Sequence, residues 1–390
     1  MTNVSIAIVS SSISPSNSPV EPDQHTHAVI RRGVDSGFIQ IVDQSSAKQM
    51  LKPDERLISQ AWQANKPLHI PYMLTNNLNQ FTQEIKQTRQ LYDAVLNDLE
   101  IEDVLDADPY ISRLGERFQM LSSRFDESDQ QEIISIDFDV MEGDALLMED
   151  IWMRVSWLSY YENDASFRFR FSFGMENFDD VSNDPERQLA AAELSQCIFP
   201  ESAIITENVP LITLLQNTLN IPSFNFVERI IYFNAPNGGA QFHHDAEKGH
   251  LGVVYAQITG ETLWLALSRA DLMTEISRFI LSDENIIVLR ETLASLLPDA
   301  LLFDRFILSL KDHKQLSEIL NDPSNEAIST LLNESVEFFN QLVSEGYASH
   351  LVPGDIMLLP QESMDKCAWH SVFCLGDEPG EALSFAIKAS

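Results

Sequence analysis

The distribution of apolar positions changes character several times along the chain. From residue 223 onwards it is dominated by short apolar runs between turns. Residues 223–233 form one run, closed by Asn234-Ala235-Pro236-Asn237. Val253-Val254-Tyr255-Ala256-Gln257-Ile258 and Thr262-Leu263-Trp264-Leu265-Ala266-Leu267 form two more, joined across Gly260. Two apolar runs linked by a short glycine-containing loop predict a hairpin. Strand character returns at His350-Leu351-Val352, Ile356-Met357-Leu358-Leu359, residues 368–373 and residues 382–388. Between these groups, residues 269–346 read as several helices and predict a helical insertion.

The first half is mixed. Residues 166–174 have the cleanest alternation in the chain. Phe167, Phe169, Phe171 and Phe173 share one face of a predicted strand; Ser166, Arg168, Arg170 and Ser172 share the other. Residues 38–42, 66–71 and 133–138 also read as strands, the second an edge strand because Pro67 and Pro71 limit its pairing. Helical spacing covers residues 47–64, 78–99, 185–196 and 209–219. Asp108-Pro109 is read as the N-cap and first turn of a further helix running to about 125. Residues 1–27, rich in Ser, Pro and Asn, are expected to be a flexible leader, with His25 and His27 in a solvated tail. The expected class is α+β: an N-terminal α+β region at 28–220 packs on a β core at 221–390, with the helices of 269–346 inserted.

Composition narrows the function. The net charge is −34, from 25 basic and 59 acidic residues. Phosphate recognition needs clustered Lys and Arg, so no nucleic-acid partner and no anionic membrane surface is expected; a cationic partner is compatible. Three cysteines without CxxC spacing suggest neither a disulfide framework nor a zinc knuckle. The apolar run at residues 4–9 is too short for a signal peptide, and no stretch approaches a membrane span. A cytoplasmic protein is expected.

The candidate chemistry lies in Gly238-Gly239-Ala240-Gln241-Phe242-His243-His244-Asp245. In His243-His244-Asp245, positions i and i+2 of a strand point to one side. With one distant His, the imidazole and carboxylate would complete the 2-His-1-carboxylate facial triad of non-haem Fe(II) sites. His370, after Trp369 on an apolar run, is the candidate. His244 points the other way on a regular strand and is expected behind the ligands or at the surface, while Gln241 shares the face of His243.

His243-His244-Asp245, then Gln257-Ile258-Thr259-Gly260, then Pro353-Gly354-Asp355, then Trp369-His370 resemble, in this order, the Jumonji-C and cupin-like Fe(II)/2-oxoglutarate oxygenases. The likeness spans roughly residues 223–390. Lys66-Pro67-Leu68-His69-Ile70-Pro71 resembles a segment near the start of such domains. The resemblance implies a double-stranded β-helix (cupin/jelly-roll) core. It implies Fe(II) held by His243, Asp245 and His370, with 2-oxoglutarate and dioxygen as cosubstrates, and most simply a hydroxylase. One position departs from the pattern: Thr262 stands where relatives often place a Lys against the distal carboxylate of 2-oxoglutarate. Lys388 and Ser384 on the closing strand would serve with Thr262; Arg229 and Tyr232, on the strand before the motif, come next, and Arg168 and Arg170 are further candidates. The implied substrate is a peptide or protein side chain, or an amino-acid-like metabolite; a homodimer is compatible. Two alternatives remain: a 2-oxoglutarate-independent metallo-cupin dioxygenase, and a non-catalytic cupin-like binding protein.

Overall fold

The apolar runs without alternation belong to strands that are buried on both faces. The computed structural model describes residues 11–16, 26–43, 54–97, 99–125, 129–176 and 179–390. In chain order the first strands are β1 (Ser11–Ser16), β2 (Thr26–Arg31), β3 (Val34–Asp43) and β4 (Leu68–Ile70). Next come β5 (Phe118–Arg124), β6 (Glu132–Glu142), β7 (Ala145–Trp157), β8 (Phe167–Phe171) and the two-residue β9 (Met175–Glu176) and β10 (Asp179–Asp180). The core follows with β11 (Phe224–Asn234), β12 (Gly239–His243), β13 (His250–Gln257) and β14 (Glu261–Ser268), then β15 (Ala348–Leu351), β16 (Ile356–Ser363), β17 (Lys366–Leu375) and β18 (Gly380–Ala389).

The large sheet runs β4-β16-β13-β18-β11-β8-β7-β6-β5. A smaller one runs β15-β14-β17-β12. The β16–β17 hairpin joins them, and every pairing is antiparallel. The result is a mixed helix and antiparallel-sheet fold of jelly-roll type. Between the sheets lies a small core with Val253, Tyr255, Trp264, Leu359 and Val372. Alternate residues face outward into two larger cores. Val254, Ala256 and Leu358 pack under the N-terminal helices, and Leu263, Leu265 and Phe373 pack under the inserted ones. Both side-chain sets are apolar because both faces are covered.

The N-terminal helices are α1 (Glu55–Gln63), α2 (Thr75–Leu78), α3 (Thr82–Leu96), α4 (Ile101–Leu105), α5 (Tyr110–Leu114), α6 (Pro185–Ile198), α7 (Ala203–Thr206) and α8 (Val209–Leu219). Six more, α9 (Arg269–Phe279), α10 (Asp283–Thr292), α11 (Ala300–Lys311), α12 (His313–Leu320), α13 (Glu326–Glu334) and α14 (Val336–Ser344), fill the segment between β14 and β15. Among the described residues, no helix is long and apolar enough to cross a membrane.

Several expectations are corrected. Residues 253–267 form no hairpin: β13 pairs with β16 and β18, whereas β14 pairs with β15 and β17. The Gly260 turn therefore crosses from one sheet to the other, and its close approach to Gly380 leaves no room for a Cβ. The helix expected from Asp108 stops at Leu114, where Gly115 takes φ +56°, and the chain continues as β5. β7 escaped the pattern reading; it forms a hairpin with β6 across Gly143-Asp144 and also pairs with β8. The first 27 residues are not all leader: Ser11–Ser16 and Thr26–Arg31 both pair with β3. His25, and residues 47–53 of the first expected helix, lie outside the described residues.

Candidate active site

Strand register assembles the site. β12 and β17 run antiparallel with His243 directly opposite His370. Opposite residues on paired strands bring their Cβ atoms to about 5 Å, and the two rings lie 4.2 Å apart between centroids. Asp245, two residues beyond β12, turns its carboxylate back toward them. Its Oδ1 is 3.4 Å from His243 Nε2 and its Oδ2 is 3.5 Å from His370 Nε2. One donor atom from each residue lies within 4.8 Å of the others. Gly239 makes this approach possible. Its φ is +127°, and a Cβ there would collide with the backbone of Val372.

The donors are prepared electrostatically. His243 Nδ1 lies 2.7 Å from the carbonyl of Gln241; donating there leaves the Nε2 lone pair facing the cluster. Burial drives His370 down to about 3, helped by the neighbouring His243 charge, so its imidazole is neutral near pH 7. Burial would raise Asp245, but His370 and His243 outweigh it and hold the carboxyl well below its ordinary range. Burial likewise opposes protonation of His243, yet the charge and hydrogen bond of Asp245 win and raise it. Two imidazoles and an ionised carboxylate on one side of a cavity are a donor set for a divalent transition metal.

Other contacts hold these donors in place. Trp264 stacks on His370 at 5.1 Å with the planes 17° apart. Its Nε1 donates to Thr262 Oγ1 (3.1 Å), and Thr262 donates to Gln257 Oε1 (2.9 Å), which also accepts from Tyr255 (3.1 Å). Arg31 is buried and donates to Ala240 O (2.7 Å), to the Ser371 hydroxyl and to Asn333 Oδ1 (3.0 Å). Asn333 Oδ1 also accepts from the Phe242 amide (2.8 Å). The first hairpin and the inserted α13 thus brace both strands of the site. Sequence reading missed Arg31 and Asn333; neither carries a local signal.

The Pro353-Gly354-Asp355 turn has a visible structural job. Asp355 accepts from the amides of Tyr72 (2.7 Å) and Val352 (3.2 Å), and its Oδ2 lies 2.9 Å from His69 Nε2. This ties the segment carrying His69 to the barrel edge.

A cavity of about 310 Å³ opens at the triad, with Tyr232, Asn234, Tyr255, Trp264 and Ser384 on its walls. A second, of about 330 Å³, reaches Asp245 from the side of Glu228 and Glu247. Ser384 and Tyr232 line both. The other cosubstrate candidates do not face them. Thr262 is buried in the hydrogen-bond chain behind Trp264. Lys388 is near the end of β18 and donates to Ser182 O (3.1 Å) and Asn183 Oδ1 (2.7 Å). Arg229 follows the bulge between Val227 and Arg229, donates to Ala192 O (3.2 Å) and Ser195 Oγ (3.3 Å), and lies over Phe385.

Two bases line the first cavity: Arg32, which is taken up by Asp164 (3.5 Å), Leu158 O (3.0 Å) and Gly239 O (2.8 Å), and Arg168. Alternation in β8 sends Phe167, Phe169 and Phe171 outward into the N-terminal core and Arg168 and Arg170 inward. Arg170 pairs with Glu228 at 3.3 Å. Arg168 lines both cavities, and its buried Nε finds no partner among the described residues.

No family model matches the chain, and no curated protein does. Among solved structures, it is similar to an oxidoreductase of the 2OG-Fe(II) oxygenase family from Burkholderia pseudomallei, at 8% identity and a TM-score of 0.31, covering 87% of this chain and 93% of that one. It is also similar to the ribosomal oxygenase YcfD from Escherichia coli, at 13% identity and a TM-score of 0.22, covering 71% of this chain and 41% of that one. A complex of YcfD with cobalt and 2-oxoglutarate matches at 12% identity and a TM-score of 0.21. The chain thus spans about two fifths of YcfD, and overlays this loose transfer neither residues nor activity.

Proposed function

We propose that this chain is an Fe(II)- and 2-oxoglutarate-dependent oxygenase on a double-stranded β-helix. In this reading it hydroxylates a peptide or protein side chain, or an amino-acid-like small molecule. One observation carries the proposal: His243, Asp245 and His370 present three donor atoms within 4.8 Å at the wall of a cavity. Three protein ligands leave open positions on a six-coordinate metal.

The residues present fit both groups. His243 and His370 would offer neutral Nε2 atoms and Asp245 an ionised oxygen. Trp264 would keep His370 in plane, and the Gln241 carbonyl would hold His243 in the productive tautomer. Arg168 would take a carboxylate of 2-oxoglutarate, with the hydroxyls of Tyr232 and Ser384 beside it. A half-buried cation whose Nε has no partner among the described residues carries a desolvation cost, and this one stands in a chain of net charge −34. An anionic ligand relieves that cost. Bound together, iron and 2-oxoglutarate would activate dioxygen to oxidise the substrate.

The test is turnover without substrate. Protein loaded with Fe(II) under anaerobic conditions, then given oxygen and 2-oxoglutarate, is expected to release succinate. His243→Ala is expected to release none. Metal uptake without succinate would favour the 2-oxoglutarate-independent dioxygenase. Absence of metal uptake would leave a non-catalytic binding protein.

A further inference from the structure

We propose that Glu228, Glu247 and His250 form a second divalent-cation site at the rim of the same cavity. It is built without any residue of the His243–Asp245–His370 cluster.

One ligand atom from each of the three residues lies within 4.8 Å of the others. They come from three separate places: Glu228 from β11, Glu247 from the loop after β12, and His250 from the first position of β13. Carboxylates can gather at a surface without binding anything, so the imidazole is decisive. His250 is only 2% exposed, and its Nδ1 finds no hydrogen-bond partner among the described residues. Buried side-chain polar atoms are bonded in the large majority of cases. One face of the His250 ring is taken by Phe173, at 5.7 Å between centroids. Lys388 stands opposite it on β18, and the two carboxylates lie within ligand distance; a cation between the three would satisfy the ring nitrogen and both carboxylates.

The backbone supports the same reading. Glu228 has φ +42° and sits at the register shift between Val227 and Arg229. A non-glycine residue in this region is strained, and bulges of this kind re-aim a side chain. Here the bulge brings the Glu228 side chain to the cavity wall, where it is 14% exposed. Without an ion, Arg170 serves as its counter-charge at 3.3 Å. Glu247 is exposed and leaves a path for the ion to enter.

Two carboxylates and one imidazole are a hard-to-borderline donor set. It suits Zn²⁺, Mn²⁺ or Fe²⁺ completed by water; Ca²⁺ normally takes six to eight oxygens. Loaded, the site would neutralise the two carboxylates of the acidic rim beside Asp245. The entering substrate would then meet a cation.

The experiment is a zinc titration of the metal-free full chain, read by calorimetry and elemental analysis. Wild type is expected to take two equivalents. His250→Ala and Glu228→Gln are each expected to take one, and the His243→Ala/His250→Ala double variant none. Glu247→Gln, at an exposed position that the fold tolerates, is expected to weaken the second equivalent at least tenfold; circular dichroism checks that each variant is folded. A single equivalent in wild type that disappears with His243→Ala would overturn this proposal and leave the oxygenase reading standing. A single equivalent lost with His250→Ala but kept with His243→Ala would do the reverse. Two equivalents retained by both His250→Ala and Glu247→Gln would also overturn the second site.

Discussion

The two walls of the cavity are built by different means. The proposed metal donors belong to the small sheet and the loop beyond it. His243 and His370 face each other across a backbone ladder, and Gly239, Arg31 and Asn333 hold that ladder in register. The opposite wall, with Arg168, Tyr232 and Ser384, belongs to the large sheet. There the backbone dictates only which face a side chain takes. Arg168 and Arg170 share a face, yet only Arg170 has a carboxylate partner in Glu228. A ladder sets donor positions with little freedom; a sheet face presents long side chains whose partners decide their role.

That contrast can be broken at several strengths. The largest effect is expected from His370→Ala, which removes a donor fixed by register. Fe(II) or Mn(II) affinity should fall at least 100-fold by the order of magnitude seen for ligand-shell changes, measured by calorimetry. Gly239→Val should do comparable damage without touching a donor, because its side chain would force β12 away from β17.

Next comes Arg168→Gln. A lost charge-assisted hydrogen bond is worth about 1.5–3 kcal/mol, so 2-oxoglutarate should bind the Mn(II)-loaded protein roughly 10- to 100-fold more weakly. Lys388→Gln and Arg229→Gln should stay within about twofold of wild type, because both groups are committed elsewhere. Equal losses in all three variants would show that the wall acts through its overall charge.

Asp355→Asn sharpens the comparison at the barrel edge. It leaves the ladder intact but weakens three buried contacts, to His69, Tyr72 and Val352. A loss of about 1–3 kcal/mol is expected in chemical denaturation.

A last test concerns a pair remote from the candidate metal site. Glu201 and Glu381 are both fully buried, and Glu201 accepts from the Thr88 hydroxyl. Burial raises both carboxyls, and Glu381 is raised further by Glu201. The folded state therefore holds protons that the unfolded chain releases above its ordinary carboxyl range, near 4.5. Stability should fall as pH rises beyond that value, by at most about 1.4 kcal/mol per pH unit for each proton. Glu381→Gln should flatten the slope between pH 5 and 8 in urea titrations. An unchanged slope would show that the pair does not carry the dependence.

Much of the fold was legible in the chain because local physics enforces it. Phe167, Phe169 and Phe171 appear as the buried aromatic face of β8, whereas Phe173 lies past the strand end in the small core between the sheets. Residues 209–219, with Asn208 as N-cap and Pro210 in the first turn, form α8. The apolar runs of the core are strands, although their periodicity could not say which strand pairs with which. That is why residues 253–267 read as a hairpin while the molecule splits them between two sheets. Helix spacing overran at 108–125, where Gly115 and pairing with β6 outweighed propensity.

The sequence by itself determined the residue types of the site and their order: an imidazole and a carboxylate two apart, then a distant His after an aromatic. These are matters of spacing, which the chain carries directly. Only the tertiary structure decided that His243 faces His370, that Thr262, Lys388 and Arg229 are committed to other partners, and that Arg168 stands on the cavity wall. The facing of His243, the engagement of Lys388 and the placing of Arg229 depend on partners more than a hundred residues distant or on a bulge that shifts the facing of a strand. No local pattern encodes such partners, because their cost and gain appear only when the sheets close around the cavity.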